Sequence, residues 1–442
     1  MTISNLLEEL KNKILPFLRK IDYQLVPIHE FVEESSIHRL FSKYLPGLLY
    51  GKKIGNLIPI IWYIITLIFC PFSIFFFFIL RNFFSFKILK IDLSQIGSVL
   101  WLSTIAADQK INSKNSKIIV CLPYLFNYQN QHIFRFLSKE VFKDFFFEKN
   151  IFLRFIYTSM SWFAPLTIDT KKYEFFKNNL YSEFSSLISK SIEFNIENKL
   201  EDIQLERARL KFINFIGKKG LVTLNLRNSI FYNEGRKSVR NVSGINYFLL
   251  CEYLNNEGYS LAFTNSPGDE LLSELRNYNI PFKVFDGRHK VGQFENLLSL
   301  LACKYFIGTS TGASVIPLMN NIPVLWTNSH IPFWTPLKRN DAVIWKKYFY
   351  PNNKRISFEE FINLKLDIPS KFGQNIKKYD IKIKQNSDLE ILNALKIFLE
   401  LQNPKAKRGD PLNKRLISLQ DYKVLKKFRW SSSSESAFIN NF

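Results

Sequence analysis

The residues best suited to chemistry gather around position 310, where the sequence 305–328 reads YFIGTSTGASVIPLMNNIPVLWTN. An apolar strand ends in Gly308-Thr309-Ser310-Thr311-Gly312, runs into a short apolar helix and returns as a second strand. Glycine and small hydroxyl residues at a strand-to-helix switch suit an anion, because first-turn N–H groups have no intrahelical partner and point outward. Ser and Thr are also ordinary N-caps, so the turn alone is ambiguous. Its company is more specific. The strand LVTLNL delivers Asn225, Arg227 and Asn228 to its carboxyl end, and RKSVRN supplies Arg236 and Arg240 shortly afterwards. A guanidinium grips two phosphate oxygens at once, and helix-start amides after Thr311 can hold others. Together they describe a site for a diphosphate.

Other chemistries lack their residues. No G-x-G-x-x-G or G-x-x-x-x-G-K-[ST] follows a strand, which leaves a Rossmann dehydrogenase or P-loop ATPase without its phosphate cradle. Gly308 to Gly312 has the form of a nucleophile turn, but no convincing acid and histidine partners accompany Ser310. The cysteines Cys70, Cys121, Cys251 and Cys303 form no C-x-x-C pair, so neither a zinc site nor a disulfide framework is expected. The histidines His29, His38, His132, His289 and His330 show no H-x-x-x-H or H-E-x-x-H spacing, and no metal or other cofactor is expected. Lys and Arg number 60 against 38 Asp and Glu, a formal charge of +22. Such a balance points to anionic partners: phosphorylated substrates, anionic lipid or nucleic acid. No RNA-binding motif or basic recognition helix accompanies the charge, so nucleic acid is not an expected partner.

The elements that position these residues form a repeating pattern. Strands fall at LVTLNL, SLAFTN, FKVFD, YFIGT and IPVLWT, separated by helices near NYFLLCEYLNNEG, DELLSELRNY and FENLLSLLACK. Short apolar strands alternating with helices predict a parallel sheet covered on both faces, with ligands at the carboxyl ends of its strands. Upstream, KILKIDL, a turn at Gly97, a helix and KIIVCLP begin a first α/β domain, and 171–218 reads as a polar helical connection. A chain of 442 residues suits two domains with extras. From Ile54 to Leu80 no charged residue occurs, and both flanks are basic (Arg39, Lys43, Lys52, Lys53; Arg81, Lys87, Lys90). That run could cross a hydrocarbon core needing ~20 residues. A break at Cys70-Pro71 instead suits a re-entrant or monotopic hairpin, and a kinked span or a buried helix pair are the alternatives. The opening SNLLEELKNKILPFLRKI is amphipathic, fitting either an interfacial helix or one packed on the globular part. After Asn403 the sequence reads as an extended basic tail.

The segment from about Leu221 to Phe361 resembles a bacterial family of glycosyltransferases with the two-domain GT-B architecture. That family's pattern is H-V-R after a strand, R-N downstream and S-G-x-x-x-x-P after another strand. Here these read NLR at 225–227, RN at 240–241 and TGASVIP at 311–317, followed by NNIPVLWTN at 320–328, NDAVIWK at 340–346 and the terminal SSSSESAFINNF. The chain is similar, more distantly, to bacterial fucosyltransferases and heptosyltransferases. The resemblance implies an α/β fold of two Rossmann-like, parallel-sheet domains, beside the N-terminal membrane-associated helical segment that the uncharged run 54–80 suggests. Together with the hydrophobic and charge patterns, the chain is laid out as an amphipathic region 1–53, a hydrophobic segment 54–86, an acceptor-side domain 87–215, a nucleotide-sugar-binding domain 216–385 and a C-terminal helix and basic tail 386–442. The resemblance also implies inverting, metal-independent transfer of a sugar from a nucleotide donor to a glycan or lipid-linked acceptor at the cytoplasmic face of the membrane. Donor contacts would come from Asn225, Arg227, Arg240, Asn241, Glu295, Thr309, Ser310, Thr311, Gly312, Asn328, Asp341 and Lys346. Arg227 would stabilise the leaving diphosphate, and Asp92 or Glu234 would be the base. Asn225 stands where the family has histidine, and asparagine cannot be a base near neutral pH. A membrane-tethered polyanion-binding or scaffold protein with a degenerate transferase fold is the other reading.

Overall fold

The computed structural model describes residues 57–73, 86–89, 117–121, 132–143, 145–148, 190–227, 240–285, 290–309, 311–330, 341–366, 369–403 and 437–438, together with single residues and short pieces between 75 and 107 and at 155, 188 and 287. The chain divides into two compact units, Met1–Tyr128 with Lys139–Glu174, and Gln129–Ser138 with Phe175–Phe442.

In the first unit, β1 (Phe86–Leu89), β2 (Lys117–Cys121) and β3 (Phe145–Glu148) make a parallel sheet in that order, with Phe86 opposite Lys117 and Ile118 opposite Phe145. The first two strands lie where KILKIDL and KIIVCLP place them; β3 comes from a phenylalanine run with no alternation to mark it. The uncharged stretch holds α1 (Leu57–Ile68). Its backbone carries on past Pro71, with the Phe69 N–H donating to the Ile65 carbonyl at 3.2 Å and the Ser73 N–H to that of Phe69 at 3.1 Å. Among the described residues no helix is long and apolar enough to cross a membrane.

The second unit is built on a parallel sheet in the order β12-β9-β8-β7-β4-β5-β6. In chain order it contains α2 (Ile203–Ile213), β4 (Leu221–Asn225), α3 (Phe248–Asn256), β5 (Ser260–Phe263), α4 (Asp269–Asn277), β6 (Phe282–Val284), α5 (Lys290–Leu301), β7 (Tyr305–Gly308), α6 (Val315–Met319), β8 (Val324–Ser329) and β9 (Ala342–Trp345). Beyond these lie β10 (Lys347–Phe349), α7 (Phe358–Asn363), α8 (Pro369–Lys378), β11 (Lys382–Lys384), α9 (Asp388–Leu401) and β12 (Ala437–Phe438). β4, β7, β8 and β9 are buried along their whole length, which is why they read as continuous apolar runs rather than alternating ones. Their two faces still differ. Val222 and Leu224 join the apolar cluster formed with α3, α4 and α9. Thr223, pointing the other way by the period-two rule, donates its hydroxyl to the Ser299 carbonyl of α5 at 2.6 Å. α5, packed on α2, thus covers the second face.

β9 was present in the sequence only as part of NDAVIWK and is a sixth strand of this sheet. Within the C-terminal stretch, Ala437 and Phe438 form β12, which pairs in parallel with Ala342 and Val343 and extends the sheet beyond β9. A satellite core of Tyr348, Ile356, Phe361, Leu366, Phe372 and Ile381 sits under the antiparallel pair β10 and β11. From β4 the chain builds outward through β5 and β6 on one side; β7 returns to β4's other edge, and β8 and β9 continue away from it. Adjacent strands whose connections leave in opposite directions open a crevice beyond their carboxyl ends, the topological switch point where ligands bind in such sheets.

Candidate functional site

Asn225, the last residue of β4, stands at that switch point opposite Gly308, the last residue of β7. Its Oδ1 accepts the Thr311 hydroxyl at 2.8 Å, and its Nδ2 donates to the Thr264 hydroxyl and, at 3.5 Å, to Asn265 Oδ1. Its backbone carbonyl accepts the Thr309 N–H at 3.2 Å. One buried amide therefore fastens the ends of β4, β5 and β7. Asn265 adds a second tie, Nδ2 to the Leu226 carbonyl at 2.9 Å. Gly308 makes this closeness possible: a Cβ there would stand 2.7 Å from the Asn225 carbonyl oxygen, inside van der Waals contact. Thr309 is 1% exposed, and its hydroxyl has no hydrogen-bond partner among the described residues. Thr311 caps the tight turn Gly312–Ser314 in extended backbone, with its side chain turned to Asn225 rather than to the turn.

Beside this latch the next strand ends bring positive charge together. Arg227 follows β4 and is buried; its carbonyl accepts the Val242 N–H at 2.9 Å, which returns the chain carrying Arg240 and Asn241 to the strand end. Lys346 follows β9, is 3% exposed, and donates its ammonium to the Asn241 carbonyl at 2.8 Å. His330 follows β8 and is also buried. Burial holds its imidazole pKa well below the usual value, reinforced by the charges of Arg240, Lys346 and Arg227, so it is neutral at pH 7. Burial likewise pulls the Lys346 ammonium down to about 8. Three cationic side chains thus act on a neutral imidazole, each issuing from the carboxyl edge or the loop tied to it.

The remaining sequence-derived residues have other surroundings. Asn328, at φ 51°, exchanges backbone-to-side-chain hydrogen bonds of 2.9 and 2.7 Å with Asn386 and reaches the Tyr247 hydroxyl at 3.1 Å. Its amide joins the end of β8 to the approach of α9. Asp341 precedes β9 at the amino edge of the sheet, where its carboxylate accepts the Val324 N–H at 2.9 Å. Glu295 is half-buried on α5; burial raises its carboxyl pKa against the lowering effect of Lys283 and Lys211. The structure therefore gathers Asn225, Arg227, Arg240, Asn241, Thr309, Thr311, Gly312 and Lys346 at one edge. Ser310, Asp92 and Glu234 lie outside the described residues, as do Asn228 and Arg236. Sequence reasoning missed His330, Thr264 and Asn265. The last two close the strand SLAFTN and were legible as a polar strand end; His330 had no signal, because its neighbours come from distant parts of the chain. Among the described residues no group of three His, Cys, Asp or Glu is placed to hold a metal.

No protein-family model matches the chain. An uncharacterized protein of Borreliella burgdorferi is 26% identical over 181 residues, 40% of this chain and 89% of that protein. Among solved structures, the chain is similar to the E. coli ADP-heptose LPS heptosyltransferase II at 12% identity and a TM-score of 0.37, covering 72% of this chain and 98% of that one. It is also similar to a glycosyl transferase of family 9 from Veillonella parvula, at 12% identity and a TM-score of 0.42, covering 72% and 97%. Likeness at these scores leaves the activity to be argued from the site.

Proposed function

We propose that the chain is a glycosyltransferase that binds a nucleoside-diphosphate sugar at the switch point between β4 and β7 and passes the sugar to a glycan or lipid-linked acceptor. The observation that carries this reading is that Arg227, the Arg240–Asn241 segment and Lys346 are tied together at the carboxyl edge of the sheet, the edge from which the Thr311-capped turn also leaves. Breaking the bond from sugar to diphosphate builds negative charge on the leaving oxygens, and fixed cations in a buried site stabilise that charge as it forms. Neutral His330 supplies a hydrogen bond without adding a further positive charge. Asn225 acts by holding the turn, since its amide is engaged with Thr311 and Thr264. Transfer is inverting and metal-independent, with a carboxylate as base, Asp92 or Glu234. The reaction belongs at the cytoplasmic face of the cell membrane, where nucleotide sugars are made and lipid-linked acceptors can be reached.

The test is to incubate the full chain with UDP-, GDP- and ADP-sugars and membrane extract and to follow release of the nucleoside diphosphate. Acceptor-dependent release from one donor, lost in Arg227→Ala, supports transfer. A second reading, a diphosphate-binding scaffold without chemistry, is favoured by one observation, the asparagine at 225 whose amide is fully occupied; binding of diphosphates without release from any donor would establish it.

A further inference from the structure

The helix α1 is arranged inside out. Thr66, Cys70 and Ser73, at spacings of four and three, are 0%, 0% and 5% exposed and face the protein. Ile61, Ile64, Ile65, Ile68, Phe72 and Phe75 all stand in solvent, with Ile68, Phe72 and Phe75 at 66–74%. At about 100° per residue these six fall within an arc of about 100°; Leu67 and Phe69, also exposed, widen the face to about 200°, and the three small residues occupy the remaining side. Of the twelve exposed large apolar side chains among the described residues, eight lie between 61 and 75, so the exposed apolar surface is concentrated on α1 and the turns after it. A helix serving a water-soluble core carries its large apolar side chains inward; here that preference is reversed, and an apolar face of this size marks an interaction surface.

We propose that α1 and the turns after it lie in the plane of an anionic bilayer, with the isoleucine and phenylalanine face at the acyl boundary. A helix too short to span can still bury one face ~5–10 Å deep at the headgroup boundary. Charge selects lipid over a second copy of the chain. The protein carries +22, and Lys52 and Lys53 before the run and Arg81, Lys87 and Lys90 after it add local positive charge. Identical chains repel one another through such a charge, whereas an anionic leaflet attracts it, each nearby cation contributing ~1 kcal/mol. This contact stands on α1 alone and holds whether or not the second unit transfers a sugar.

The experiment is flotation of the full chain with vesicles of phosphatidylcholine containing phosphatidylglycerol, beside vesicles of phosphatidylcholine alone. The wild type is expected to float with the anionic vesicles and to detach as salt rises. I64S/I68D/F72D, which changes only exposed positions, should lower the bound fraction at least ~10-fold while its melting temperature stays within a few degrees. L389D, at an exposed leucine on α9, should float like the wild type. Failure of the wild type to float, equal flotation of the triple variant, or conversion of a dimer to a monomer by the triple variant with lipid binding unchanged would each overturn the proposal. Donor turnover is read separately, so its failure leaves this result untouched.

Discussion

Asn225 and Lys346 show how residue type limits what this site does. An asparagine cannot move a proton near neutral pH, and here its carbonyl and amine both hold neighbouring strand ends. Lys346 is different, because burial brings its ammonium pKa down to about 8. An anion beside it favours the charged form, so the complex has a higher lysine pKa than the free protein. Below pH 8 both states hold the proton and affinity is level. Above it, binding must draw a proton from solution, so diphosphate affinity falls as pH rises, approaching ~10-fold per pH unit. Calorimetric titrations at pH 7 and pH 9 should show this loss in the wild type. Lys346→Gln should bind more weakly at pH 7 and vary little with pH; a wild-type-like pH profile in that variant would remove Lys346 from the site.

At the scale of elements, the β/α alternation from 221 to 328 was legible because buried parallel strands are short apolar runs bounded by polar ends. β9 follows the same rule, its four residues buried throughout within the motif NDAVIWK. β3 and β12 had no such mark: one is a phenylalanine-rich stretch in a chain with 44 phenylalanines, the other only two residues whose pairing depends on a strand far away in sequence. The candidate site was legible where charge and hydroxyls end a strand, as at Arg227 and Thr311. His330 was not, since it acquires its role from Arg227, Arg240 and Lys346, which come from other segments. Gly308 links strand and site. Gly308→Ala would place a methyl 2.7 Å from the Asn225 carbonyl, pushing β4 and β7 apart where they must meet. The expected cost is ~1–3 kcal/mol in urea unfolding, together with weaker diphosphate binding. An unfolding midpoint unchanged from wild type would show that the strand ends tolerate separation.

Over the whole molecule, the net charge of +22 announces an anionic partner without locating it. The order of strands in the second unit does locate one. With β4 and β7 adjacent and the rest of the sheet leaving in opposite directions, one crevice is opened, and the buried cations issue from that same edge. Fold and charge therefore indicate the same place for independent reasons. Isothermal titration of the full chain with UDP, GDP and ADP, and with the matching monophosphates, tests this most directly. The expected result is selective binding of one diphosphate over its monophosphate, weakened ~10- to 100-fold by Arg227→Ala and again by Arg240→Ala, the loss of charged hydrogen bonds of ~1.5–3 kcal/mol. Indifference of the wild type to every diphosphate, or equal affinity in folded Arg227→Ala and Arg240→Ala proteins, would contradict a diphosphate site at the switch point.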